Sequence, residues 1–221
     1  MWSVHKYQAA VREAKEAGMA WMCDDTFSLI RQDWHNALKK ETWGTHPRNL
    51  YMGEVRDLGR YREMLHRLRP TALSALGCES VDALKGFTEL QGLFLDSCSA
   101  LQNVDGLKIL IGLQKLTFSG CPALRNMDGI RSLTGLQLLV LHKCSALQGV
   151  DSLKALVGLQ KLTLRGCFTL QNVDGLKGLT GLQKLDLDGC KEIPAAALRE
   201  LRAALPNTDI TFPDGAKNPP Q

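Results

Sequence analysis

The side chains best equipped for chemistry in this sequence are its cysteines, histidines and lysines, and spacing decides what each could do. Five of the seven cysteines, Cys98, Cys121, Cys144, Cys167 and Cys190, follow one another at intervals of 23 residues. A thiol column of this kind raises two chemistries, a metal array and a disulfide ladder. Zinc sites take their ligands from closely spaced cysteine pairs that converge on one point, and equal steps along a chain do the opposite. An odd total argues against a fully paired disulfide framework. The reading that remains is packing, in which each small thiol fills the turn after a strand and bonds weakly to backbone. Cys78 opens the column out of step, and Cys23 has no Cys or His at ligand spacing.

His5, His35, His46 and His66 include no pair that would share a helical face beside a carboxylate. The phosphate-cradling G-x-x-x-x-G-K-[ST] loop, the H-E-x-x-H helix and the G-x-S-x-G elbow are all missing. A general acid–base pair would have to be assembled from distant segments, and no spacing announces one. The expectation is therefore a protein that is not an enzyme and uses no cofactor, no metal and no small-molecule substrate.

The elements that must position any remaining functional residue are set by a repeat. From Leu90, LQGLFLDSCSALQNVDGLKILIG is followed by LQKLTFSGCPALRNMDGIRSLTG, LQLLVLHKCSALQGVDSLKALVG and LQKLTLRGCFTLQNVDGLKGLTG. The second and fourth copies share 14 of 23 residues; LQKLDLDGCKEI opens a fifth, and a shorter copy, TALSALGCESVDALKGFTE, precedes them. Of 38 leucines, 32 lie after residue 69. Within each copy, as in Leu93-Phe94-Leu95 and Leu162-Thr163-Leu164, the leucines alternate with period two, so one strand face is buried and the other exposed. Asp105, Asp128, Asp151 and Asp174 are expected to cap the helical turn that follows each of them. Gly112, Gly135, Gly158 and Gly181 are expected to supply the bend into the next strand.

The pattern L-x-x-L-x-L-x-x-C-x-x-L-x-x-V-D-G-L resembles the leucine-rich repeat family over roughly residues 70–212. That resemblance implies an α/β solenoid with one short parallel strand per repeat lining a concave face. It implies a way of presenting a surface rather than a reaction.

Three parts are expected. Residues 1–69 hold four of the five histidines, all four tryptophans and all three tyrosines. They read as a helical cap over the first repeat or a docking segment, with apolar stripes at Val4–Trp21, Phe27–Leu38 and Val55–Leu68 and a loop at ETWGTHPRNLYMG. An adaptor of the F-box type would open with Leu-Pro, which is missing here. Residues 70–212 form the solenoid, closed by a capping helix over 194–205, because an end repeat otherwise exposes a hydrophobic cross-section. Residues 213–221 are a polar tail without a core of its own.

Overall composition excludes the extremes. The chain of 221 residues is 44% hydrophobic, carries a formal charge of +4 and contains no apolar run long enough to span a bilayer. Its first residues lack the apolar core of a secretory signal. An intracellular setting, cytoplasm or an organelle such as the mitochondrion, is expected.

Recognition is what remains, and strand alternation indicates the face. Lys115, Lys161 and Lys184 form an interrupted basic column on the outward side, while Leu138 and Val140 replace the K-L-T of neighbouring copies with L-L-V. An apolar pair there adds nothing to the core and reads as a partner-binding patch, as scattered apolar surface residues, or as a contact for the N-terminal segment. Phe94 is the expected anchor, with His142 and Arg165 at the margin. The expected role is a non-catalytic leucine-rich-repeat scaffold docked by protein–protein contacts within a large multi-subunit assembly. A second reading is a ribosome-like ribonucleoprotein accessory subunit whose lysines meet RNA phosphates. Fifteen basic and fourteen acidic residues over 70–221 give that reading little field to work with. A third reading is a substrate adaptor of an enzyme complex.

Overall fold

The computed structural model describes residues 49–215 and 217–219. The apolar stripes at Val4–Trp21 and Phe27–Leu38, together with Cys23, His5, His35 and His46, lie outside the described residues.

Among the described residues the backbone forms one sheet of eight strands, all parallel and stacked in chain order. They are β1 (Asn49–Glu54), β2 (Ala72–Leu76), β3 (Gly92–Asp96), β4 (Lys115–Ser119), β5 (Leu138–His142), β6 (Lys161–Thr163), β7 (Lys184–Asp186) and β8 (Asp209–Thr211). The sheet thus begins ahead of residue 70, inside the segment expected to be a loop. Leu50 and Met52 alternate inward, and β1 pairs with β2 along its length, with a register shift between Met52 and Glu54. The stripe expected to be one helix over Val55–Leu68 is instead a 3-10 turn at Leu58–Tyr61 followed by α1 (Arg62–Leu68). Its apolar residues Leu58, Leu65 and Leu68 are all buried.

Why each repeat closes in 23 residues follows from its apolar spacing. Leu95, Cys98, Leu101, Val104, Leu107, Leu110, Leu113 and Leu116 recur at every third position, and all are buried. Three residues per turn is the period of a 3-10 helix. The backbone obeys it: Leu107, Leu110 and Leu113 N–H groups donate to Val104, Leu107 and Leu110 carbonyls, each at 2.9 Å. Seven steps of three are followed by one strand step of two, from Leu116 to Phe118, and the next repeat begins. The apolar ridge of every coil therefore faces the sheet's inner side, where neighbours bury it jointly. A fully buried leucine contributes about 1.5–3 kcal/mol, so the stack is held chiefly by this shared core.

Between strand and coil, the chain turns at a residue in left-handed conformation. Gly77, Ser97, Gly120, Lys143, Gly166 and Gly189 all have φ between 54° and 79°, and each immediately precedes a column cysteine. The glycines expected to make the bend, Gly112, Gly135, Gly158 and Gly181, are not in that conformation. Gly112 and Gly158 serve a different need: a Cβ there would come within 2.9 Å of Thr88 O and 2.8 Å of Thr134 O in the preceding repeat.

The expected aspartate caps are also replaced. Asp105, Asp128 and Asp174 do not cap their turns through the side chain. Their own N–H groups donate to Asn103, Asn126 and Asn172 Oδ1 at 3.2, 2.6 and 2.8 Å. Their carboxylates pair with Lys108, Arg131 and Lys177 three residues on. An asparagine side chain two residues earlier already satisfies that N–H, leaving the acid to the exposed basic neighbour.

At the far end, α2 (Ala195–Ala204) buries Leu198 and Leu201 while β8 extends the sheet through Ile210. Among the described residues no helix is long and apolar enough to cross a membrane.

Candidate functional site: the outward sheet face

The cysteines are packing elements. Cys78, Cys98, Cys121, Cys144, Cys167 and Cys190 are free and fully buried. In the later repeats each thiol donates to a carbonyl of the preceding strand or its end, Cys167 Sγ to Leu141 O at 3.1 Å and Cys190 Sγ to Leu164 O at 3.0 Å. Burial pushes the Cys190 thiol up to about 12 and raises that of Cys167 as well. A thiol held neutral this way, as at Cys167 and Cys190, is a poor nucleophile near neutral pH. Among the described residues no group of His, Cys, Asp and Glu side chains is placed to hold a metal ion. His66 stacks on Phe87 with ring centroids 4.5 Å apart.

The outward face carries three rows of side chains set by strand register. One row runs Gly92, Lys115, Leu138, Lys161, Lys184 and Asp209. The central row runs Ser74, Phe94, Thr117, Val140, Thr163, Asp186 and Thr211. The third continues from Ser119 and His142 toward Arg165 and Asp188, beyond the ends of β6 and β7.

This geometry divides the face. Phe94 is only 6% exposed and Thr117 only 1%, with Ser74 and Ser119 also buried. Phe94, expected as an exposed anchor, is thus buried rather than exposed. From β5 onward the face opens: Leu138, Val140 and His142 are half-buried, Lys161, Arg165 and Lys184 exposed, and Lys115 sits half-buried at the boundary. The structure brings Leu138, Lys161 and Lys184 side by side and sets Val140 next to Thr163. Arg165 pairs with Asp188 at 2.9 Å, which fixes it at the opposite margin.

The last strand, readable in the sequence over Thr208–Phe212, is observed as β8, and its Asp209 and Thr211 prolong the first two rows. Sequence reasoning overlooked one feature of the surface. Ile111 and Val157, each 67% exposed, and Phe168, 53% exposed, project from turns rather than strands. Ile111 and Val157 occupy a repeat position that is otherwise threonine, at Thr88, Thr134 and Thr180, and that substitution was visible in the alignment of copies.

The deciding observation is the combination of a 23-residue repeat with one short parallel strand per copy, stacked in chain order through joint burial of its leucines. The chain is a leucine-rich-repeat solenoid. No protein-family model matches the sequence, and no curated protein sequence matches it. Among solved structures, the solenoid is similar to a chain in the crystal structure of the Rad7 and Elc1 complex in yeast. The TM-score is 0.50 at 16% identity, covering 72% of this chain and 48% of that one, so the solenoid spans about half the length of that relative. It is also similar to internalin C2 from Listeria monocytogenes, with a TM-score of 0.44, 22% identity and 80% of each chain covered. A third likeness is to the leucine-rich repeat domain of the type III effector XopL, with a TM-score of 0.45, 18% identity, and 95% and 90% covered.

Proposed function

We propose that the solenoid is a non-catalytic scaffold that binds another protein across the open part of its outward face, on β5, β6 and β7, within a larger assembly. The observation that carries this reading is the substitution of Leu138 and Val140 into rows that are otherwise polar outside the buried region. A half-buried aliphatic pair with exposed Lys161 and Lys184 beside it has the arrangement of a recognition patch, an apolar centre with a charged rim. The open part of the face also supports protein over RNA. Leu138 interrupts the lysine row, and Asp186 stands on the adjacent row of the same face.

The test is quantitative co-purification of the tagged full chain from its native source, wild type against Leu138→Asp with Val140→Asp. The expected result is loss of specific partners with an unchanged melting temperature. Retention of every partner by a folded double variant contradicts the proposal. If association instead collapses between low and moderate salt and follows RNA, the ribonucleoprotein reading replaces it.

A further inference from the structure

We infer that the partner segment seated on this face is acidic, and that it carries an aliphatic side chain and a carboxylate on the same side of an extended stretch of chain. The inference rests on the reading that β5–β7 bind a protein, and it adds the chemistry of what is bound.

Leu138, Lys161 and Lys184 stand in register on three adjacent strands, each step about 4.8 Å. Neither Lys161 nor Lys184 has an ion-pair partner among the described residues. The acid that continues their row, Asp209, is already paired with Lys217 at 3.1 Å, so it does not quench them. Negative charge is held elsewhere. Asp188 is committed to Arg165, and Asp186 Oδ1 accepts the Asp188 N–H at 2.9 Å. A carboxylate approaching the open face is attracted to the lysine row and repelled from the central Asp186. The charge pattern therefore selects both the sign of the ligand and its lateral position.

The apolar requirement comes from the next strand. Leu138 and Val140 form a two-residue aliphatic step directly beside Lys161 and Thr163. In an extended chain, residues i and i+2 point the same way at a separation of roughly 6.8 Å. That distance lies between one and two strand spacings. A segment crossing the sheet with an aliphatic residue over the Leu138–Val140 step thus presents a carboxylate two residues on to the flexible heads of Lys161 and Lys184. Phosphate backbones gain nothing from the aliphatic step, and their next charges would fall on Leu138 or toward Asp186.

The test pans a display library of random peptides of about 12 residues against the full chain and measures affinities of the selected sequences by fluorescence anisotropy. Selected peptides are expected to carry net negative charge and an aliphatic-x-acid spacing. Their affinity should fall roughly tenfold on K161E with K184E, fall on L138D, and recover in part when the peptide's acid becomes lysine against K161E/K184E. Melting temperatures of all variants establish that they are folded. Peptides that lose binding to L138D yet show no acid excess and ignore K161E/K184E leave the face a protein-binding surface and overturn the acidic partner. Selected peptides that ignore every variant, or no selection at all, overturn both. A single-stranded oligouridylate that binds more tightly than the best peptide with the same lysine dependence overturns the inference in favour of nucleic acid.

Discussion

At the scale of single residues, the chain shows where its repeat is imperfect. The turn before each column cysteine is left-handed, and four of its six occupants are glycine; Ser97 and Lys143 adopt it at φ 54° and 55°. An L residue there carries a cost of roughly 1–2 kcal/mol that glycine avoids, partly offset because glycine's unfolded chain is freer. Ser97→Gly and Lys143→Gly should each stabilise the fold by about 1 kcal/mol in urea titrations; destabilisation would mean that their side chains do more than occupy the turn. The thiols give a pH prediction. Cys190 rises from an ordinary value of 9.0 to about 12 through burial, so the folded state holds its proton where the unfolded state has lost it. The resulting stability is fully present below pH 9 and is lost as pH climbs from about 9 to 12. Melting temperature should therefore fall across that window, and less steeply in Cys190→Ala.

Secondary elements follow from arithmetic that the sequence displays. Leu93-Phe94-Leu95 and its equivalents were legible as strands because period-two alternation is local, and the repeat made that reading secure. The coil side was less legible. Positions such as Leu101, Val104 and Leu107 keep a three-residue period throughout, but this reads as helix or loop until backbone hydrogen bonds show consecutive 3-10 turns. β1 was masked by the Gly and Pro signals around it, since a single strand without its repeat has little to distinguish it. The site was half legible. Alternation placed Leu138, Val140, Lys161 and Lys184 outward, yet no local pattern could reveal that Phe94, on the same row as Val140, is buried. Close stacking of coils yields a further prediction. A Cβ on Gly129 would stand 2.0 Å from Val104 O, so Gly129→Ala must push two repeats apart. It should cost about 1–3 kcal/mol by denaturant unfolding, whereas Gly178→Ala, where nothing lies within 4 Å, should not destabilise through any clash.

As a whole molecule, the solenoid is a one-dimensional stack whose inner side is apolar and whose outward sheet face carries the variation. Several turn-side charges are matched within their own repeat, Lys108 to Asp105, Arg131 to Asp128 and Lys177 to Asp174, and such exposed pairs add little stability. On the open sheet face, by contrast, Lys161 and Lys184 have no such match, and the aliphatic step of Leu138 and Val140 lies beside them. The aliphatic step beside that lysine pair is the basis for proposing that β5–β7 bind a partner. The most direct measurement places a photo-crosslinking amino acid at Thr163, on β6 between the aliphatic and charged strands, and at Gly178 on the turn side as a control, in the full chain in its native cell. The account predicts discrete protein adducts from position 163 and none from 178. Adducts from 178 alone, or RNA rather than protein at 163, would contradict it.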